Sequence, residues 1–201
     1  MLRNRDLSNM AQTFGDFVED ESSSPEYLVI GFSSNSIPLK QLWRNNGLSA
    51  SFVADFLIPF FPVVEDEPDA VKRRNKVIGA VRYITNELLE NAMKFSDETS
   101  QYPITIKLDL RRDRLVFRTT NAIESQQISS FQALIQDLLS CDPHERFIHQ
   151  LEKNTQEGCS SSGLGLLTIM NDYAGIPGWK FETIQQDPSA ATVTTTVQLP
   201  I

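Results

Sequence analysis

Apolar positions along residues 68–95 recur at the spacing of an α-helix. Ile78, Val81, Leu88, Ala92 and Phe95, with Thr85 between them, fall on one stripe with a 3.6-residue period. Pro68 is tolerated in the first turn of such a helix. Residues 104–110 (ITIKLDL) instead alternate with period two, as do residues 114–119 (RLVFRT), and the three residues between them are too few for anything but a turn. This pattern predicts a β-hairpin. A second alternation, over 179–184 and 192–199, predicts a closing hairpin. Residues 27–32 (YLVIGF) are apolar without periodicity and read as a buried strand.

Helices are predicted over 52–61, ended by Pro62, and from 38, where Leu39, Leu42 and Trp43 share a face. Two more follow the central hairpin, over 129–140 and 143–154. A last one opens at Gly163-Leu164-Gly165-Leu166 and is stopped by the run 174–178. Residues 1–25 are polar, end in an acidic run and read as a flexible N-terminal arm. Residues 26–201 then form one domain with no internal repeat. The order of elements predicts an α+β two-layer sandwich, a mixed sheet with helices on one face.

Charge and composition narrow the function. The 201 residues carry a net charge of −8 and no basic stripe, which argues against nucleic acid as a partner. Two cysteines, Cys141 and Cys159, are too few for a disulfide framework or a zinc site and fit a reducing cytoplasm. The polar N-terminus has no signal-peptide core. The apolar-rich run 51–64 is broken by Asp55, Pro59 and Pro62, so no membrane span is expected.

The long helix also carries the candidate chemistry. Glu87 and Asn91 are four residues apart and Lys94 three further on, so all three share one side of the helix. Their oxygens are hard ligands suited to Mg²⁺, and an ammonium can reach a phosphate. Read alone, these three residues are simply a solvated helix face. Some seventy residues on, Ser160-Ser161-Ser162-Gly163-Leu164-Gly165-Leu166 has a phosphate-binding character. Glycines admit a ligand close to the backbone, and the free N–H groups of a helix start attract anions. Read alone, this is a helix start capped by Ser162.

Taken together the two stretches are more specific. Glu87-x-x-x-Asn91-Ala92-x-Lys94 resembles the N box of the GHKL ATPase superfamily, which includes gyrase, MutL and the histidine kinases. Gly163-Leu164-Gly165-Leu166 resembles its second glycine box, in the correct order along the chain. The resemblance covers residue 28 to the C-terminus and implies the Bergerat fold, with ATP held between sheet and lid. It implies that Asn91 coordinates Mg²⁺, that Glu87 orients a water or hydroxyl as general base, and that Lys94 contacts phosphate. Ser162, Gly163, Leu164 and Gly165 would form the turn around the triphosphate.

The superfamily's first glycine box, Asp-x-Gly-x-Gly, is missing. Its place reads Thr119-Thr120-Asn121-Ala122-Ile123. Asn121 would accept the adenine amino group in place of the Asp, without the charge, a loss of about 1–3 kcal/mol in adenine binding. With this variant the chain resembles the small stand-alone SiaB-like kinase and regulator group of bacteria. That resemblance implies a partner-switching pathway, in which such a protein phosphorylates a Ser or Thr of a STAS-domain regulator, or binds it, and a PP2C-like phosphatase opposes it. Two readings follow: a Mg-ATP-dependent kinase, favoured by Glu87, Asn91 and the glycines, or a module that regulates by binding, favoured by Asn121.

His144 and His149 read as surface residues, and the short stretch before residue 85 does not have the pattern of a phospho-acceptor helix hairpin. Residues 33–36 read as a turn, and Asp137 and Asp142 as solvated or capping. Trp43, Phe60 and Phe61 read as core or as a homodimer face.

Overall fold

The long periodic stretch is a helix of 27 residues, Pro68–Lys94, with Asp69 in its first turn and Lys94 in its last, both favourable to the helix dipole. It lies within a computed structural model that describes residues 11–20, 26–33, 46–62, 68–157, 163–184 and 187–201. In chain order the elements are β1 (Gln12–Gly15), β2 (Glu26–Phe32), α1 (Asn46–Leu57), a 3-10 turn (Ile58–Phe60), α2 (Pro68–Lys94), β3 (Ile104–Leu110), β4 (Arg114–Ile123), α3 (Ser125–Ser140), α4 (Pro143–Glu157), α5 (Gly165–Tyr173), β5 (Ile176–Ile184) and β6 (Asp187–Pro200). The predicted helix around Leu39, Leu42 and Trp43 lies outside the described residues.

The strands form one six-stranded sheet in the order β1-β5-β6-β4-β3-β2. Every pairing is antiparallel, which corrects the expectation of a mixed sheet. The centre is the ten-residue ladder from Arg114↔Pro200 to Ile123↔Ala191. Alternation along it sends Leu115, Phe117 and Ile123 of β4, and Val193, Val197 and Leu199 of β6, to one face. On that face Phe117 and Val197 meet Val53 and Leu57 of α1 and Val81, Ile84 and Leu88 of α2. Ile123, Trp179, Phe181 and Val193 meet Ile135 and Leu138 of α3 and Leu167 of α5. The result is the expected α+β sandwich with helices on one face. Helix α1 starts earlier than the predicted 52–61 and ends at Leu57, where Pro59 turns the chain into the 3-10 turn. Helix α5 ends in a left-handed residue, Ala174 (φ 53°), and Gly175 N–H donates back to Ile169 O at 2.9 Å.

The other face of the sheet is polar and covered. Thr192, Thr194, Thr196 and Gln198 are buried there, as are Asp109 and Arg118. The cover is the segment 16–20, part of the stretch read as a flexible arm. That reading is corrected for residues 12–20. Gln12–Gly15 pair with β5 as the edge strand, and the next five residues cross the sheet as a strap. Gln198 Nε2 donates to Asp16 O (3.1 Å), and Arg118 donates to Val18 O (2.9 Å). Lys180 pairs with Glu19 (3.1 Å) and Lys107 with Asp20 (2.5 Å). The strap lies so close to β5 that a Cβ on Gly178 would come within 2.4 Å of Phe17 N. Gly178→Ala is therefore expected to lift the strap. We expect a loss of about 1–3 kcal/mol in a urea titration and faster amide exchange across 11–20, the cost typical of overpacking.

Candidate functional site

A cavity of about 670 Å³ opens where α2, α3, α4 and the start of α5 surround one end of the inner sheet face. One face of α2 brings Glu87, Asn91 and Lys94 to it, and Glu90 with them. The floor is made by Thr119 and Asn121 of β4 with Val193 and Thr195 of β6. Thr119 and Thr195 face each other across the ladder, as do Asn121 and Val193. Phe131, Leu134 and Leu138 of α3 add an apolar wall, and Arg146 and Gln150 of α4 a polar one. Gly163 and Gly165 close the remaining side.

The two glycines do different things. Gly163 has φ +80°, a left-handed conformation that costs other residues energy. Gly165 is the first residue of α5, and a Cβ on it would fall 1.9 Å from Glu87 Oε2. The carboxylate thus sits directly against the backbone of the helix start, a place that only glycine leaves open. Two stretches about seventy residues apart in sequence meet at this contact.

Glu87 is half-buried, and burial raises its pKa, with a further push from Glu90. Glu90 itself is held by Asn86, whose Nδ2 donates to its Oε1 at 2.7 Å. Tyr83, one turn before Glu87, also has a raised pKa, from burial first, against a hydrogen bond with Thr168 of α5. The Tyr83 ring packs on that of Tyr173 of α5, with centroids 5.4 Å apart, which ties α2 to α5. Lys94 is exposed, with Nζ 5.2 Å from the centroid of the Phe95 ring. Phe95 stacks on Phe131 at 6.2 Å.

Asn121 is 4% exposed, and its Nδ2 donates to Ala122 O at 2.9 Å. The amide keeps its carbonyl oxygen, an acceptor, and one further N–H to offer a ligand. Leu164 does not line the cavity. Its carbonyl accepts the Thr168 N–H at 2.8 Å, which winds the first turn of α5. Ser162 lies outside the described residues. His144 and His149 are exposed on α4. Asp142 caps that helix, accepting from the N–H groups of His144 (2.9 Å) and Glu145 (3.1 Å). Asp137 is not merely solvated, because it pairs with Arg146.

Sequence reasoning missed Glu90, Thr119, Thr195, Arg146, Gln150 and the α3 wall. The spacing Arg146, Gln150, Asn154 was the available signal on α4, one polar face at i, i+4, i+8. Gln150 Nε2 donates to Asn154 Oδ1 at 3.0 Å.

No family model and no curated protein matches the sequence. Among solved structures, the chain is similar in fold to a chain in the crystal structure of the SiaB–SiaC complex from Pseudomonas aeruginosa. The TM-score is 0.56 at 14% identity, over 85% of this chain and 89% of that one. No helix among the described residues is long and apolar enough to cross a membrane.

Proposed function

We propose that this chain is a GHKL-type, Bergerat-fold protein kinase that transfers phosphate from Mg-ATP to a Ser or Thr of a small STAS-domain regulator in a partner-switching pathway. The observation that carries the reading is the seat of the Glu87 carboxylate against Gly165. It joins the N-box-like helix to the glycine-box-like helix start around a cavity with an apolar wall and a charged side. The neighbouring fold is part of a two-protein complex, which supports a protein as the partner.

Glu87 is the general base in this reading. Burial keeps its proton affinity above that of an ordinary carboxylate, which suits proton abstraction from a hydroxyl. Lys94 is the phosphate contact on α2, and the free N–H groups at the start of α5 receive phosphate oxygens. Asn121 accepts from the base. Asn91 offers a carboxamide oxygen beside Glu87, a hard donor set of the kind Mg²⁺ takes in company with nucleotide phosphates. The ion would supply neutralisation of phosphate charge.

The test is calorimetric titration of ATP and ADP with and without Mg²⁺. Asn91→Ala is expected to lose the Mg²⁺-dependent part of the affinity, about tenfold or more. Absence of binding to the folded wild-type chain at millimolar nucleotide would sink the kinase reading. The second reading, a module that regulates by binding its partner without efficient catalysis, is favoured by the neutral Asn121. In that reading the fold can hold nucleotide without efficient turnover, and absence of nucleotide binding would leave it standing.

A further inference from the structure

The cavity has a cation on each of two sides, and only Lys94 belongs to a stretch already assigned. The other is Arg146. It sits in the first turn of α4, where its N–H donates to Asp142 O at 3.0 Å, and its side chain lines the cavity. Gln150 is four residues on and on the same face, with its side chain 3.6 Å from where a Cβ of Gly163 would stand. Four residues of helix span about 6 Å, within the length of an arginine side chain. The Arg146 guanidinium can therefore reach the space over Gly163 and Gly165.

In the structure it pairs with Asp137 of α3 instead, across the helical hairpin. Arg146 is the more buried of the two, with its side chain 26% exposed against 49% for Asp137. A half-exposed ion pair contributes little by itself. Exchange of one carboxylate for the oxygens of a polyphosphate therefore costs little. It also gives the guanidinium fork a more highly charged, bidentate acceptor.

We propose that Arg146 is the phosphate-binding residue that the helical insert between β4 and α5, formed by α3 and α4, brings to this cavity, and that Asp137 is an internal anion that holds it until nucleotide phosphates take its place. The inference rests on the nucleotide reading given above. Phosphates bound there would be gripped from both sides, by Lys94 of α2 and Arg146 of α4. The grip would draw the helical insert down on the ligand.

The test is calorimetric titration of ATP, ADP and adenosine, with Mg²⁺, into wild type, Arg146→Ala, Arg146→Lys and Asp137→Asn. Arg146→Ala should weaken ATP and ADP by about 10- to 100-fold, the scale of hydrogen bonds to a charged group, and leave adenosine unchanged. Arg146→Lys should recover part of the loss. Asp137→Asn frees the guanidinium and should tighten ATP by about two- to fivefold without moving adenosine. ATP binding equal in wild type and Arg146→Ala would overturn the inference and leave the nucleotide reading standing. An equal loss for adenosine would also overturn it, assigning Arg146 to the fold of the insert. Absence of binding to wild type by all three ligands would overturn the nucleotide reading and this inference with it.

Discussion

Glu87→Gln is expected to cost phosphoryl transfer about 10²–10⁴-fold while making the folded chain more stable. The first effect follows from the general-base role proposed for Glu87. Glutamine keeps the size of the side chain but cannot take a proton. Nucleotide affinity should be retained or improved, because a negative charge beside the proposed phosphate site is removed. The second effect follows from the cost of the carboxylate where it sits. Burial, and then Glu90, raise the Glu87 pKa above its ordinary 4.5. A carboxyl raised in this way favours the folded state while protonated, below its ordinary pKa. It loses that contribution as pH rises through the folded value. Above that value burial makes the charged carboxylate costly in a way that the neutral glutamine is not. A gain of about 1 kcal/mol, or about 2–4 °C in Tm, is expected. The gain should shrink toward zero below the ordinary carboxylate pKa. Thermal melts at pH 7 and pH 4, beside assays of phosphate transfer and ATP hydrolysis, check both halves. Turnover unchanged in Glu87→Gln would remove Glu87 from the chemistry.

Helix α2 was legible in the sequence because its stripe repeats over many turns, and β3 and β4 because their alternation is strict. Such signals are local, so each element announces itself. The partner of a strand is not local. Nothing in Gln12–Gly15, a short and mostly polar run, points to its pairing with β5 across the whole chain. The all-antiparallel sheet was missed for the same reason. The site divided along the same line. Glu87, Asn91 and Lys94 were readable as one helix face, and Asn121 as the residue in the place of a missing Asp. Glu87 against Gly165 is a tertiary contact that spacing cannot give. Arg146 and the α3 wall depend on how the helical insert is rolled toward the sheet. That roll is set by Ile135, Leu138 and Phe131 packing near Trp179 and Phe181. A charged residue on a strongly polar helix does not reveal which of its neighbours will face a cavity.

Arg118→Ala should give the largest loss of stability. Asp109 is buried to 1% exposure, and Arg118 Nη1 donates to its Oδ2 at 3.1 Å. Lys107 Nζ is 3.2 Å from the other oxygen, at an angle that makes it an ion pair rather than an aligned hydrogen bond. Removal of the guanidinium leaves a buried carboxylate with one poorly aligned cation, and it also releases Val18 O from the strap. Breaking a buried pair from one side costs about 3–5 kcal/mol, or about 10 °C in Tm for a chain of this size. Asp109→Asn added to Arg118→Ala removes the orphaned charge and should recover part of the loss, so the double-mutant cycle isolates the pair. A loss below about 1 kcal/mol would mean that the pair behaves as a surface pair, and the strap would then not be held through it. Acid should act on the same strap by another route. A hydrogen bond from Lys107 holds the Asp20 carboxyl below its ordinary 3.8, so its contribution is present above that value and is lost as pH falls below it. Amide exchange in residues 16–20 should therefore rise in acid before the sheet itself opens. In Arg118→Ala the same rise should already be present at neutral pH.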